Sequence, residues 1–287
     1  MQAELILDAK ATLGEGPAWD SKTQRLYWLD ILEKRIYAGA RILAELDDLI
    51  GCLAPCKNGH LILALSGVER RFSFADFEPD SGQLTFLAAL EEPPTNRFND
   101  GKCDPLGRFL AGTMDMNEKD PNGALYSFDG SHVTRLLDGV CISNGLAWSV
   151  DYKTFYYIDT PTREVKAFDY DLATGQIANP RVTIRVPESL GWPDGMTSDM
   201  DGNLWIAMWG GAQVTKWNPN SGKLLEKISV PALHTSSCVF GGKDINELYV
   251  TSARVGMSAA DLKKYPLSGG LFKMITNVEG MKTFEFG

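Results

Sequence analysis

A repeat of short apolar segments runs through the chain and constrains its fold more than any other sequence feature. Six apolar triplets, each preceded by turn-forming residues, follow one another at intervals of 35 to 49 residues. The triplets begin at Leu26, Leu61, Phe109, Phe155, Leu204 and Leu248. A period of this length, with short strands and turn signals inside it, is typical of β-propellers.

Within a unit, the sequence predicts four short strands. One unit gives Leu146–Trp148, Phe155–Ile158, Val165–Tyr170 and Val182–Val186. Six units predict an all-β fold, a single six-bladed β-propeller over residues 1–287, and one short helix at Ser258–Lys264 with Ser258 as its N-cap. We expect Leu5–Leu7 to join the sheet of Leu271–Ile275, because closing the ring removes exposed strand edges. A β-sandwich with extra strands is the alternative, but sandwiches lack a steady period.

Composition excludes several classes of function. The formal net charge is −9 and the pI is about 4.9, whereas nucleic acids and anionic membranes attract basic surfaces. No apolar run approaches the roughly 20 residues of a membrane-spanning helix, and no cationic segment precedes the first apolar stretch as in a signal peptide. The five cysteines are an odd number without a secretion signal, which is typical of reduced thiols. We therefore expect a cytoplasmic protein with no nucleic-acid or membrane partner.

Oxygen-bearing side chains occupy equivalent positions in four of the six units, 10 or 11 residues before the triplet. These residues are Glu15, Asn99, Asn144 and Asp194. Asn-Gly and Asp-Gly pairs are also common turn signals, but turns alone do not explain the shared register. Equivalent positions of a propeller face the same end of its channel, and two carboxylates with two amides suit a hard cation. The sequence thus predicts a metal site in the central channel for one divalent cation, with Ca²⁺ favoured over Mg²⁺, Mn²⁺ and Zn²⁺.

Five short motifs carry a resemblance to a known family. They are Leu13–Trp19, Asn96–Lys102, Ala111–Met114, Ser143–Trp148 and Pro193–Met196. With these motifs the sequence resembles the regucalcin (senescence marker protein) and gluconolactonase family, which also includes the luciferin-regenerating enzymes. The resemblance extends from about Leu13 to about Lys273.

The resemblance implies a fold, a metal and an activity. The fold is a six-bladed propeller whose channel holds one divalent metal on the residues that match Glu15, Asn99, Asn144 and Asp194. The activity is hydrolysis of sugar lactones, the small-molecule partners that we expect. Arg97 and Asn99 would contact the substrate, and Asp194 would be the catalytic base. A lactone is a cyclic ester, so the metal would polarise its carbonyl group and lower the pKa of the attacking water.

Two further residues are expected at the substrate pocket. Family members that resemble regucalcin carry a substrate-binding glutamate after the Gly-Thr-Met motif, and Asn117 occupies that position here, so we expect a different choice of sugar lactone. Trp192 lies two residues before Asp194, and we expect it to line the pocket, because sugar rings pack on indole faces.

Two other functions remain open from the sequence. Other propellers with a channel metal hydrolyse organophosphates or aryl esters, and a non-catalytic, calcium-binding protein that resembles regucalcin is the second alternative. Catalysis by a nucleophilic side chain has little support. The chain contains only three histidines and no Gly-x-Ser-x-Gly motif.

Overall fold

The structure, a computed structural model, describes residues 2–67 and 72–287. Within these ranges, 24 strands form six four-stranded antiparallel sheets, which are the blades of a propeller. The strands of blades one to three are β2 (Gly14–Asp20), β3 (Arg25–Asp30), β4 (Arg35–Ala38), β5 (Arg41–Glu45), β6 (Leu49–Pro55), β7 (Leu61–Ser66), β8 (Phe72–Phe77), β9 (Leu84–Leu90), β10 (Asn96–Cys103), β11 (Phe109–Asp115), β12 (Gly123–Phe128) and β13 (Val133–Val140).

Blades four to six continue the same pattern. Their strands are β14 (Ser143–Trp148), β15 (Thr154–Asp159), β16 (Glu164–Tyr170), β17 (Ile177–Arg185), β18 (Trp192–Ser198), β19 (Leu204–Trp209), β20 (Gln213–Asn218), β21 (Lys223–Ser229), β22 (His234–Gly241), β23 (Glu247–Ala253), β24 (Leu271–Ile275) and β1 (Glu4–Leu7). The prediction of an all-β, six-bladed propeller is therefore confirmed.

The first and last strands of the chain share blade six. The order in this sheet is β1-β24-β23-β22, and Leu5 lies opposite Phe272. A short helix, α1 (Ala259–Lys264), lies between β23 and β24, and Ser258 caps it in a reciprocal capping box with Asp261. No helix in the described part of the chain is long and apolar enough to cross a membrane.

The first strand of each blade lies nearest the propeller axis. These six inner strands (β2, β6, β10, β14, β18 and β22) each contact the inner strands of the two neighbouring blades. Their side chains are almost all buried, because they pack against other blades on both sides. Large aromatic side chains fill the space between blades, and Trp28, Trp148 and Trp205 are at most 1% exposed.

The segment after β24 crosses the end of the propeller where the inner strands finish. Met281 donates its backbone N–H to the carbonyl of Ser198, the last residue of β18. Phe286 donates its backbone N–H to the carbonyl of Pro55, the last residue of β6. The opposite end of the channel, where the inner strands begin, is left for the candidate site.

Candidate functional site

A cavity of about 560 Å³ opens where the inner strands begin. Its wall includes all four oxygen-bearing residues of the repeat register. It also includes two of the predicted substrate contacts, Arg97 and Trp192. Asp194, Glu15, Asn99, Asn144 and Arg97 are each less than a tenth exposed, so we call these five residues the polar floor.

A β-bulge in each inner strand points these side chains into the cavity. The pairing of the first two strands of every blade shifts register near the start of the inner strand, as between Glu15 and Ala18 or between Pro193 and Met196. A bulge bends the strand and re-aims the side chain beside it. The neighbouring glycines are needed for space, since a Cβ atom on Gly195 would lie 2.1 Å from Ser237 Oγ.

Hydrogen bonds tie Arg97 and the two amides of the polar floor together. Arg97 Nη1 donates to Asn99 Oδ1 at 2.6 Å, and Asn99 Nδ2 donates to the backbone carbonyl of Ser143 at 2.7 Å. Asn99 Nδ2 also lies 3.3 Å from Asn144 Oδ1, and Asn144 Nδ2 donates to Thr160 Oγ1 at 2.9 Å. Asn99 therefore fixes the Arg97 guanidinium and links it to Asn144.

The two carboxylates of the floor contact no cationic side chain among the residues that the structure describes. Glu15 Oε2 accepts only the N–H of Gly16 from the described residues, and the buried Asp194 Oδ1 accepts no hydrogen bond from them. Burial, followed by the charge of Asp100, raises the pKa of Glu15 from 4.5 to about 8. Burial, followed by the charge of Glu15, raises the pKa of Asp194 well above its usual value. A cation between them would reverse both shifts.

The residues present fit a divalent cation of the hard type. Glu15 and Asp194 supply two carboxylates, Asn144 supplies an amide oxygen, and Asp194 Oδ1 receives no hydrogen bond from the described residues. No group of three or more His, Cys, Asp or Glu side chains in the described ranges could hold a metal, so a site here depends on amide oxygens. The oxygen of Asn99 accepts a hydrogen bond from Arg97, and the roles of Asn99 as a metal ligand and as a substrate contact stay predictions.

The loop after β11 places a different residue on the cavity wall from the one the resemblance implied. Met116 and Glu118 line the cavity, whereas Asn117 does not and instead donates its Nδ2 to Asp115 Oδ1 at 3.3 Å. Glu118 has a left-handed φ of 57°, and the side chains that line the cavity alternate along this segment as Met114, Met116 and Glu118. The charge of Glu118 acts on Arg97, so the two side chains face the same space.

Two tryptophans form the blade-five wall. The Arg163 guanidinium lies 3.5 Å from the centre of the Trp192 ring, and Trp192 is opposite Trp209 in the sheet. Trp209 lines the cavity and stacks on His234 with ring centres 4.2 Å apart. Burial lowers the pKa of His234, which keeps this imidazole neutral and suited to stacking.

Known proteins resemble this chain over most of its length. Residues 13–254 match the model of the SMP-30/gluconolactonase/LRE-like region, which is most of the chain. The chain therefore belongs to the SMP-30/gluconolactonase/LRE-like family. The matched residues of this chain include all five residues of the polar floor.

Individual relatives extend the match over the full chain. A regucalcin from Danio rerio is 38% identical over 295 residues, which covers 100% of this chain and 98% of the relative. A solved luciferin-regenerating enzyme has a TM-score of 0.88 and 32% identity, covering 99% of this chain and 98% of its own. A structure described as a calcium-binding protein, regucalcin from Agrobacterium tumefaciens, has a TM-score of 0.92 and 26% identity, covering 100% and 97% of the two chains.

Proposed function

We propose that the protein is a hydrolase that opens lactones with the help of one divalent cation, Ca²⁺ in the first place. The observation that carries this proposal is the pair of buried carboxylates, with the orphaned Asp194 Oδ1, beside a guanidinium in an open cavity. The family description, which includes gluconolactonase, supports the reaction class. The calcium-binding description of the Agrobacterium relative supports the choice of metal.

Glu15, Asn144 and Asp194 would hold the cation. When bound, a divalent cation acts as a Lewis acid on an ester carbonyl and makes a nearby water more acidic. The three side chains come from different blades, so the rigid ring of inner strands fixes their separation before any ligand arrives. Such preorganisation reduces the reorganisation needed during the reaction.

Asp194 and Arg97 are the groups suited to handle the proton and the developing charge. Asp194 Oδ1 is free to accept the proton of the attacking water, because none of the described residues donates to it. Arg97 Nη1 is occupied by Asn99 Oδ1 and the carbonyl of Phe98. Its Nε and Nη2 donate to none of the residues in the described ranges, so they can bind a carbonyl or hydroxyl oxygen of the substrate.

The regucalcin relatives support a second candidate, a calcium-binding protein without catalytic activity. The two candidates differ in one measurement. Metal-stripped protein is reloaded with Ca²⁺, Mg²⁺, Mn²⁺ or Zn²⁺, and hydrolysis of lactones, an aryl ester and paraoxon is followed by proton release or chromophore release. We expect metal-dependent hydrolysis of lactones in preference to the other two substrates.

A matched pair of variants assigns that activity to this cavity. Asp194→Asn should abolish most of the turnover, whereas Asp201→Asn, which changes an exposed carboxylate in the turn after β18, should retain it. Metal binding by calorimetry without turnover of any lactone would favour the non-catalytic candidate. Equal activity of the two variants would place the reaction outside the cavity.

A further inference from the structure

Another cavity, of about 450 Å³, lies where blade one meets blade six. Trp19 and Arg25 line it from blade one, and Tyr249 and Lys273 line it from blade six, so we call this cavity the seam groove. It shares no lining residue with the cavity above the polar floor. Its volume lies within the range, about 300–1,000 Å³, that is typical of sites for small molecules.

The charged residues that line the seam groove are all basic. They are Arg25, Arg41 and Lys273, and no Asp or Glu of the described residues joins them on the wall. The whole chain has a formal net charge of −9, so this wall differs in sign from the protein as a whole. A cleft lined by one sign of charge attracts ligands of the opposite sign, which here are anions.

Arg25 and Arg41 are available to bind an anion. Lys273 donates to Glu247 at 3.2 Å, whereas neither arginine forms an ion pair or a side-chain hydrogen bond with the residues that the structure describes. Asp20 lies opposite Arg25 in the sheet, but its carboxylate accepts hydrogen bonds from the turn that follows β2. Both arginines are exposed, and a guanidinium group binds an oxyanion through charge-assisted hydrogen bonds.

The base of the seam groove is aromatic. The rings of Trp19 and Tyr249 stack with their centres 5.5 Å apart and their planes 13° apart. Both residues are less than a tenth exposed, so these rings lie deeper than the two arginines. Leu26 and Leu271 belong to the same core cluster and line the same groove. Because aromatic rings pack well on one another, the groove suits a ligand that has an aromatic body as well as a negative charge.

The indole N–H of Trp19 lacks an acceptor. Its Nε1 atom is buried and donates to none of the described residues, whereas Nε1 of Trp28, on the neighbouring strand, donates to the carbonyl of Gly39 at 2.8 Å. A buried donor without a partner is unfavourable, and in folded proteins such groups usually find an acceptor. Because Trp19 lines the groove, an oxygen atom of a bound anion can serve as that acceptor.

We propose that the seam groove is a binding site for a small aromatic anion. The oxyanion lies against Arg25 and Arg41, and the aromatic body packs on Trp19 and Tyr249. Such a ligand contacts both of the blades that close the ring, so its binding stabilises the folded propeller. The site lies towards the end of blade one where β2 finishes, away from the polar floor, and it does not depend on the proposed lactone hydrolysis.

The probe for this site is 8-anilinonaphthalene-1-sulfonate, an aromatic anion that fluoresces when it leaves water. Fluorescence titration gives its Kd, and the neutral N-phenyl-1-naphthylamine, which has the same rings without the sulfonate, is titrated in parallel. We expect Arg25→Gln and Arg41→Gln each to raise the Kd of the anion by about fivefold, because each removes charge-assisted hydrogen bonds. Neither variant should alter the Kd of the neutral compound.

Two control variants locate the probe. Arg35→Gln removes the same charge from blade one, but Arg35 pairs with Glu45 at 3.0 Å and does not line the groove, so the Kd should stay unchanged. Met116→Glu adds a negative charge at the mouth of the cavity above the polar floor, where Met116 is 49% exposed, and should also leave the Kd unchanged. Thermal unfolding should confirm that all the variants fold.

The outcomes decide whether the seam groove binds anions. A Kd that Arg25→Gln and Arg41→Gln leave unchanged, or no binding of the probe, would overturn the proposal. A larger effect of Met116→Glu than of either arginine variant would place the probe in the other cavity and would overturn it as well. Lactone hydrolysis by the two arginine variants should equal that of the unsubstituted protein, so the proposed function is tested separately.

Discussion

Asp194 combines two features that are unfavourable unless a ligand is present. Its carboxylate is 5% exposed, and its Oδ1 atom accepts no hydrogen bond from the described residues. A buried carboxylate without a partner is destabilising unless it binds a proton or a cation, and such groups cluster at functional sites. The same residue can serve as a metal ligand and as a base, and these roles respond differently to substitution.

The first prediction separates the two roles of Asp194. Asp194→Asn keeps an oxygen and the shape of the side chain but loses charge and basicity, so we expect kcat to fall by about 10²–10⁴-fold even at saturating Ca²⁺. Asn144→Ala removes a ligand oxygen but no base, so excess metal should restore much of its activity. Rates measured across a metal titration check this. Equal rescue of both variants would show that Asp194 is a ligand only.

The second prediction concerns pH and Glu15. Burial raises the pKa of Glu15 to about 8 in the folded, metal-free protein, against 4.5 for the free side chain. The folded state therefore binds more protons than the unfolded state between about pH 4.5 and 8, and stability falls as pH rises through this window. We expect the free energy of unfolding in a chelator to decrease by several kcal/mol across it.

Denaturant titrations of the metal-free protein at several pH values measure this slope. Glu15→Gln should reduce the slope, because the amide has no proton to lose while Asp194, whose pKa is also raised, still titrates. Ca²⁺ should restore the stability of the unsubstituted protein at high pH. Glu45→Gln is the control, since Glu45 is exposed at the end of β5. A slope that Glu15→Gln leaves intact would assign the pH dependence to another group.

Among the elements, the loop after β11 carries the third prediction. Glu118 faces the cavity near Arg97, whereas Asn117 turns to Asp115. We expect Glu118→Gln to raise KM for hydroxylated lactones several-fold, because its carboxylate is one of the few acceptors available to a hydroxyl. Asn117→Gln is the paired variant and should change KM little. A large rise in KM for Asn117→Gln with little change for Glu118→Gln would instead assign the substrate contact to Asn117.

The blades and the polar floor could be predicted from the sequence because the signals for both are local in the chain. Apolar triplets and turn residues fix each strand, and a shared offset from the triplet finds Glu15 and Asp194 without any long-range information. The same register cannot find Glu118, because it compares positions on the inner strands and Glu118 lies in the loop after β11. The apolar side chains at the cavity mouth also share an offset from the triplets, since Leu32, Met116 and Val255 lie six or seven residues after a triplet begins.

At the scale of the whole molecule, two features close the ring. The pairing of β1 with β24 joins the start of the chain to blade six. The segment after β24 then crosses the inner strands at the end opposite the cavity, where Phe284 packs edge-on to Trp148, with ring centres 6.4 Å apart. One end of the propeller is therefore covered by its own chain, and the other end is open to a ligand. We expect substitutions at the covered end to change stability and substitutions at the open end to change activity.

The fourth prediction tests this division. Phe284 is 9% exposed and also contacts the ring of Tyr152, so Phe284→Ala should lower the free energy of unfolding by about 3 kcal/mol, as for other buried phenylalanines. Ile275→Ala, at a side chain 67% exposed at the end of β24, should change it by less than about 0.5 kcal/mol. Denaturant titrations give both values.

Phe284 packs at the far end of β14 from Asn144. The kcat/KM of the Phe284→Ala variant, measured well below its unfolding temperature, should therefore match that of the unsubstituted protein. A loss of activity in the fully folded variant would show that the two ends are coupled through the inner strands.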